Sequence, residues 1–176
     1  GNLAPSRPWV AEKHFREGGS RSFGVIDGFD VVESAERQAT FLWQVSGAAY
    51  ASEAFLEDAV VNYGRFLTLM RKHPGSFLVP TYQIDLMWHS HMLGSSQSYA
   101  TDCVELFGLK HSPDHDDSVN DRSSPETKLN LSTDVTRSLW FEAFGVDYAV
   151  PGGMFRGPPP PPYWRKSWVL TSPPNT

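Results

Sequence analysis

Apolar residues recur at helical spacing through most of the middle of this chain. From Ser52, the residues Phe55, Leu56, Ala59, Val60, Tyr63, Phe66, Leu67 and Met70 follow one another three or four apart. That spacing lays a single apolar stripe along a helix. Ser52 is placed to cap it, and Glu53 and Glu57 sit near its positive end. Arg71, Lys72 and His73 suit its other end, where Pro74-Gly75 breaks the helix. An earlier helix is predicted over Glu33–Ser46, stopped by Gly47. After the apolar lead Phe77-Leu78-Val79-Pro80, Thr81 caps a helix over 82–93 that ends at Gly94. Ser95 or Ser96 restarts a helix running to about Phe107, with Gly108 as its stop. Residues 109–125 read as a polar loop, and Asp134–Phe144 as the last helix, with Leu139, Trp140, Ala143 and Phe144 inward.

The two ends break this rhythm. Residues 1–31 are rich in Gly, Pro, Ser and charge, and predict an extended arm with at most a short strand around Phe23–Ile26. Residues 158–162 are all proline, which forces an extended segment. The expected fold class is therefore all-α: a compact bundle of about five helices over residues 32–157, an irregular N-terminal arm over 1–31 and a Pro-rich tail over 158–176. No internal repeat is visible.

Composition narrows the function classes. The chain has 176 residues and a formal net charge of -5. Neutralising phosphates requires clustered Lys and Arg, so a nucleic-acid partner is not expected for this domain. The single cysteine, Cys103, excludes an internal disulfide framework and a Cys-rich zinc ribbon, and points to a reducing, cytoplasmic setting. No apolar run approaches the roughly 20 residues of a membrane span, and no apolar signal core opens the chain, so no membrane partner is expected. Phosphate loops, dinucleotide fingerprints and nucleophile elbows are missing.

Candidate chemistry concentrates in Asp85-Leu86-Met87-Trp88-His89-Ser90-His91. Asp85 and His89 stand at i and i+4 on one helix face, a geometry for two metal ligands or for an aspartate orienting an imidazole. His91 points about 200° away from His89 on an unbroken helix. Both could serve one ion only if the helix unwinds after Trp88. The competing reading is structural. Ile84, Trp88 and His91 share a face while Leu86, Met87 and Leu93 cover others, so the helix reads as buried nearly all round, with its His residues in a polar network.

A second cluster, His111, Asp114, His115, Asp116, Asp117 and Asp121, lies in the polar loop. Its spacing does not fit a calcium loop, which needs Gly at the sixth position and Glu at the twelfth. It reads either as a solvated acidic loop or, folded over His89, as part of a zinc or iron site. The candidate divalent-metal set is His89, His91, His115, Asp116 and Asp85. A third motif, Pro160-Pro161-Pro162-Tyr163, matches the pattern that WW domains read on a polyproline II ridge. Pro160, Pro161 and Tyr163 are thus candidate contacts to a protein partner, the alternative being a strap of Tyr163, Trp164 and Trp168 packed on the domain.

Several ordered blocks carry a resemblance. Leu78-Val79-Pro80, Asp85-Leu86-x-Trp88-His89-x-His91, Tyr99, Asp102-Cys103, Phe107-Gly108 and Asp114-His115-Asp116-Asp117 are the first of them. Lys128-Leu129, Phe144-Gly145-x-x-Tyr148 and Gly152-Gly153-Met154-Phe155-Arg156-Gly157 continue it. Over roughly residues 35–157 the chain resembles the glycine-rich domain-containing proteins of plants, fungi and oomycetes. The resemblance implies a domain first known without a function. Plant members place it ahead of an RNA-binding segment and a glycine-rich tail, and are associated with growth and stress responses. Neither extension is expected in this chain, and Pro-rich sequence stands where some fungal relatives have Cys-rich motifs. Two functions stay open: an interaction or scaffolding domain with a His/Asp metal site, or a small metal-dependent enzyme using His89, His91 and His115.

Overall fold

In a computed structural model of the chain, residues 25–26, 29–94, 96–116 and 119–160 are described. The chain divides into two units after Ala39. In the first, strands β1 (Val25–Ile26) and β2 (Phe29–Asp30) pair antiparallel, Val25 opposite Asp30 and Ile26 opposite Phe29. Helix α1 (Val31–Val45) follows directly and carries the boundary, its residues from Thr40 onward belonging to the second unit. The second unit holds a short 3-10 turn (Ala48–Ala51), then α2 (Glu53–Lys72), α3 (Tyr82–Gly94), α4 (Ser96–Glu105) and α5 (Lys128–Phe144). Five α-helices and one two-residue strand pair among the described residues make the all-α class expected of the sequence.

The helix ends follow their local chemistry. The Ser52 hydroxyl accepts from the Phe55 amide and Thr81 from the Ile84 amide, so both polar caps act as the sequence indicates. At the end of α4, Gly108 turns left-handed (φ 67°) and Leu109 donates to the Cys103 carbonyl at 2.9 Å, closing the helix. Gly145 does the same for α5 with φ 68°.

Three expectations need correction. α5 starts at Lys128, not Asp134. Thr127 caps it by accepting from the Asn130 amide, and Asn130 ties back to the Ser124 carbonyl at 2.7 Å. Its first turns, Lys-Leu-Asn-Leu-Ser-Thr, alternate apolar and polar like a strand, so capping and tertiary contact decide there. Val60 is 60% exposed although it extends the apolar stripe of α2, whereas Leu69, off the stripe, is fully buried. The reason is that α2 packs against both α3 and α5, so its buried surface is two-sided and leaves the flank at Val60 open. Helix α3 is not buried all round: Gln83, Ile84 and Trp88 are inside, but Leu93 in its last turn is 85% exposed.

The core of the second unit lies where α2, α3, α4 and α5 meet. Phe66, Leu67, Leu69, Ile84, Cys103 and Trp140 are each no more than 2% exposed there. Tyr148 closes it from beyond α5, its ring 5.2 Å from that of Trp140. The linker Leu78-Val79-Pro80 crosses this core, and its backbone is satisfied by side chains. Thr136 accepts from the Val79 amide at 3.0 Å, and the Tyr148 hydroxyl donates to the Val79 carbonyl.

A strap then fastens the end of α1. The carboxamide of Gln44, 1% exposed, accepts from the Arg156 amide (2.9 Å) and donates to the Gly157 carbonyl (2.8 Å), as a strand neighbour would. Gly152 must be glycine: its φ is +82° and a Cβ would meet the Ala49 Cβ at 2.6 Å. The strap sets Phe155 beside Tyr82 on α3.

Candidate metal centre

Trp88 explains how the polar loop returns to α3. Its buried indole donates to the Tyr99 hydroxyl at 2.9 Å, and that hydroxyl donates onward to the Pro113 carbonyl at 2.8 Å. Two residues beyond Pro113, the imidazole of His115 stands edge-on to the Trp88 ring, with centroids 4.8 Å apart. The loop is thereby anchored from the core side, and His115 is delivered to the face of α3 that carries Asp85 and His89.

There three Lewis bases converge. His115 Nε2 donates to Asp85 Oδ1 at 2.7 Å, lies 3.2 Å from His89 Nε2, and Asp85 Oδ1 is 3.7 Å from His89 Nε2. Asp85 and His89 are one helical turn apart, the relation their spacing indicates. The ring of Phe41 stacks on His89 with centroids 4.3 Å apart and planes 13° apart, which fixes the imidazole's orientation. The three side chains are only 14–17% exposed, so each reaches solvent without standing in it. Among the described residues this is the group of His, Cys, Asp and Glu able to hold a metal ion.

The separations bear on what can sit between them. Ligands at about 2.0–2.2 Å from a tetrahedral ion stand about 3.3–3.6 Å from one another. Two of the three edges are near that figure, and the third is a hydrogen bond that opens once its proton leaves. A proton joins two of these atoms at a time, whereas a divalent cation accepts all three. Two imidazoles and one carboxylate suit zinc or ferrous iron, and three protein ligands leave coordination positions open.

Tyrosines surround the carboxylate. Burial first, and the Asp85 charge second, push the Tyr50 hydroxyl up to about 12. The Tyr50 oxygen is buried without a hydrogen-bond partner among the described residues. Burial also raises Tyr82, against the opposing pull of the Arg122 guanidinium beside it. Arg122 in turn lies over the Phe155 ring at 4.9 Å.

The remaining candidates go elsewhere. His91 does not join the trio: its Nε2 faces Asp102 Oδ2 at 3.1 Å and its Nδ1 the Tyr63 hydroxyl at 3.0 Å. With Asp102 as acceptor, Nε2 carries the proton and Nδ1 accepts from Tyr63, so this imidazole links α2, α3 and α4. The helix stays intact through His91, which is why the two histidines face different partners. Asp116 lies outside the trio, and Asp117 outside the described residues. His111 faces the Ser112 carbonyl and Asp121 accepts from the Ser123 amide, so the loop does not act as one acidic cluster. Of the proline motif, Pro160 is described, while Pro161 and Tyr163 lie outside the described residues. The sequence assigned no role to Phe41, Tyr99 or Arg122. Tyr99 was visible as a resemblance residue, but nothing in the sequence marks Phe41 or Arg122.

The comparisons with known proteins match the same region. The sequence model of the glycine-rich domain-containing protein-like family covers residues 10–102, including Asp85 and His89. The chain belongs to this family. It is 38% identical over 138 residues to glycine-rich domain-containing protein 1 of Arabidopsis thaliana, and 38% identical over 147 residues to glycine-rich domain-containing protein 2 of the same plant. These alignments take in 76% and 81% of this chain but 16% and 18% of the two relatives, so the chain spans a small part of their length. No solved structure matches. Among the described residues no helix is long and apolar enough to cross a membrane.

Proposed function

We propose that this domain is an interaction module organised around one divalent metal ion, zinc or ferrous iron, held by Asp85, His89 and His115. The observation that carries the reading is the convergence of three ligand atoms from two segments 26–30 residues apart, within 3.7 Å of one another. An ion would clamp the helix to the loop that Tyr99 and Trp88 already draw onto it. His91 takes no part, because its two nitrogens are committed to Asp102 and Tyr63. The Pro-Pro-Pro-Tyr motif, offered to a WW-type partner, belongs to the same reading.

Protein purified without a histidine tag tests it. About one equivalent of a transition metal is expected, with melting lowered by chelator and restored by the metal. An ion present at a hundredfold its Kd stabilises the fold by about 2.7 kcal/mol, which a melting curve resolves. Metal below about a tenth of an equivalent, with melting indifferent to chelator, would contradict the proposal.

A second reading, a small metal-dependent enzyme, is favoured by one feature: three protein ligands leave an open position, the arrangement of catalytic rather than structural zinc. In that reading Asp85, His89 and His115 would hold an ion that would supply Lewis-acid chemistry, and the buried Tyr50 hydroxyl is a donor without a partner among the described residues.

A further inference from the structure

From the centre outward, an aromatic wall leads to a cation. Phe41 stacks on His89, the Tyr82 ring follows 6.5 Å from Phe41, and the Phe155 ring 6.3 Å from Tyr82. Arg122 lies over Phe155, and among the described residues it forms no ion pair with a carboxylate. Two positive charges would stand along this path. A divalent ion on two neutral imidazoles and one carboxylate keeps one positive charge, and Arg122 adds another a short way along the same wall. Half-buried cations are stabilised by an anion brought close, and a guanidinium is shaped to grip a carboxylate. The side chains of the centre reach solvent and Phe155 is 42% exposed, so both ends of the path meet solvent.

We propose that the centre completes its coordination with a small carboxylate ligand on a flat apolar body, lying along Phe41, Tyr82 and Phe155 towards Arg122. This rests on the metal reading above. The carboxylate would bring a negative charge to the ion on the side of Arg122, and the flat body would lie against the half-buried rings of Phe41 and Tyr82 and cover the exposed ring of Phe155. Stacking and apolar burial add to the electrostatic attraction, so an aromatic carboxylate binds more tightly than an aliphatic one of equal charge.

Cobalt(II) replaces zinc or iron in such sites and absorbs visible light in a way that reports its ligands. The test loads the full chain with cobalt(II) and titrates it with benzoate, acetate and benzyl alcohol in turn. Benzoate is expected to shift the cobalt bands at the lowest concentration, acetate at roughly tenfold higher, and benzyl alcohol not at all. Arg122→Gln should weaken benzoate about tenfold and leave cobalt loading unchanged. Phe155→Ala should weaken benzoate but not acetate. Absence of any cobalt spectrum would overturn the centre itself. A normal cobalt spectrum unmoved by about 10 mM benzoate would overturn this ligand while leaving the centre standing. Equal responses to benzoate and acetate, or an unaltered Arg122→Gln titration, would overturn the aromatic and cationic contacts respectively.

Discussion

Tyr99 joins Trp88 in the core to Pro113 in the loop through one hydroxyl. It touches none of the three ligating atoms, yet it fixes the stretch from which His115 reaches them. Groups that hold a ligand in place typically contribute tenfold to a hundredfold to metal affinity. Tyr99→Phe is therefore expected to lower that affinity by roughly tenfold or more, read by competition against a chromogenic chelator, with the helical content unchanged. Unaltered affinity would show that the loop is held by other means. The same hydroxyl sets an alkaline limit. Burial first raises Tyr99 from 10.0 to about 12, and Tyr50 rises to about 12 as well. In the unfolded chain these groups ionise first, so between the two values the folded state keeps protons that the unfolded state has lost. Their contribution to stability is complete below the unfolded pKa and disappears as pH rises from 10 to about 12. Melting temperature should fall across that window, together with a late rise in tyrosinate absorbance. A melting temperature constant through it would contradict the burial argument.

At the scale of elements, the linker between α2 and α3 shows how side chains from distant sequence close a backbone. Val79 has its amide satisfied by Thr136, fully buried on α5, and its carbonyl by Tyr148 beyond α5. Thr136→Val keeps the shape and strands a buried amide, at an expected cost of about 1–3 kcal/mol in denaturant unfolding. A loss under about half a kcal/mol would mean that the amide finds water instead. The helices themselves were legible because their signals are local: Ser52 and Thr81 as caps, Gly108 as a stop, and the spacing of Tyr63, Phe66 and Leu67. The start of α5 was not, because Lys128–Thr133 carries a strand-like alternation that capping by Thr127 overrides. Leu69 and Val60 exchanged places for a similar reason. Which flank of a two-sided helix is covered depends on its neighbours, and no periodicity within the helix records that.

The whole molecule adds what neither residue nor helix contains. The Asp85–His89 pair could be read from spacing, and the separation of His91 from His89 followed from the helical angle. That His115 meets them depends on the loop being drawn to Trp88 through Tyr99, a contact between elements with no sequence signature. The role of Arg122 depends on the strap that carries Phe155 to Tyr82, held in turn by the carboxamide of Gln44. In this family member the centre is therefore a product of assembly: α3 supplies two bases, the loop the third, the end of α1 the stacking ring and the strap the outer wall. Crystals of metal-loaded protein, with diffraction recorded on both sides of the metal's absorption edge, test this most directly. The expected result is one anomalous peak bonded at about 2.0–2.2 Å to His89 Nε2, His115 Nε2 and an Asp85 oxygen. A peak on His91 or Asp102 instead, or none while the three side chains keep their mutual hydrogen bond, would contradict the account.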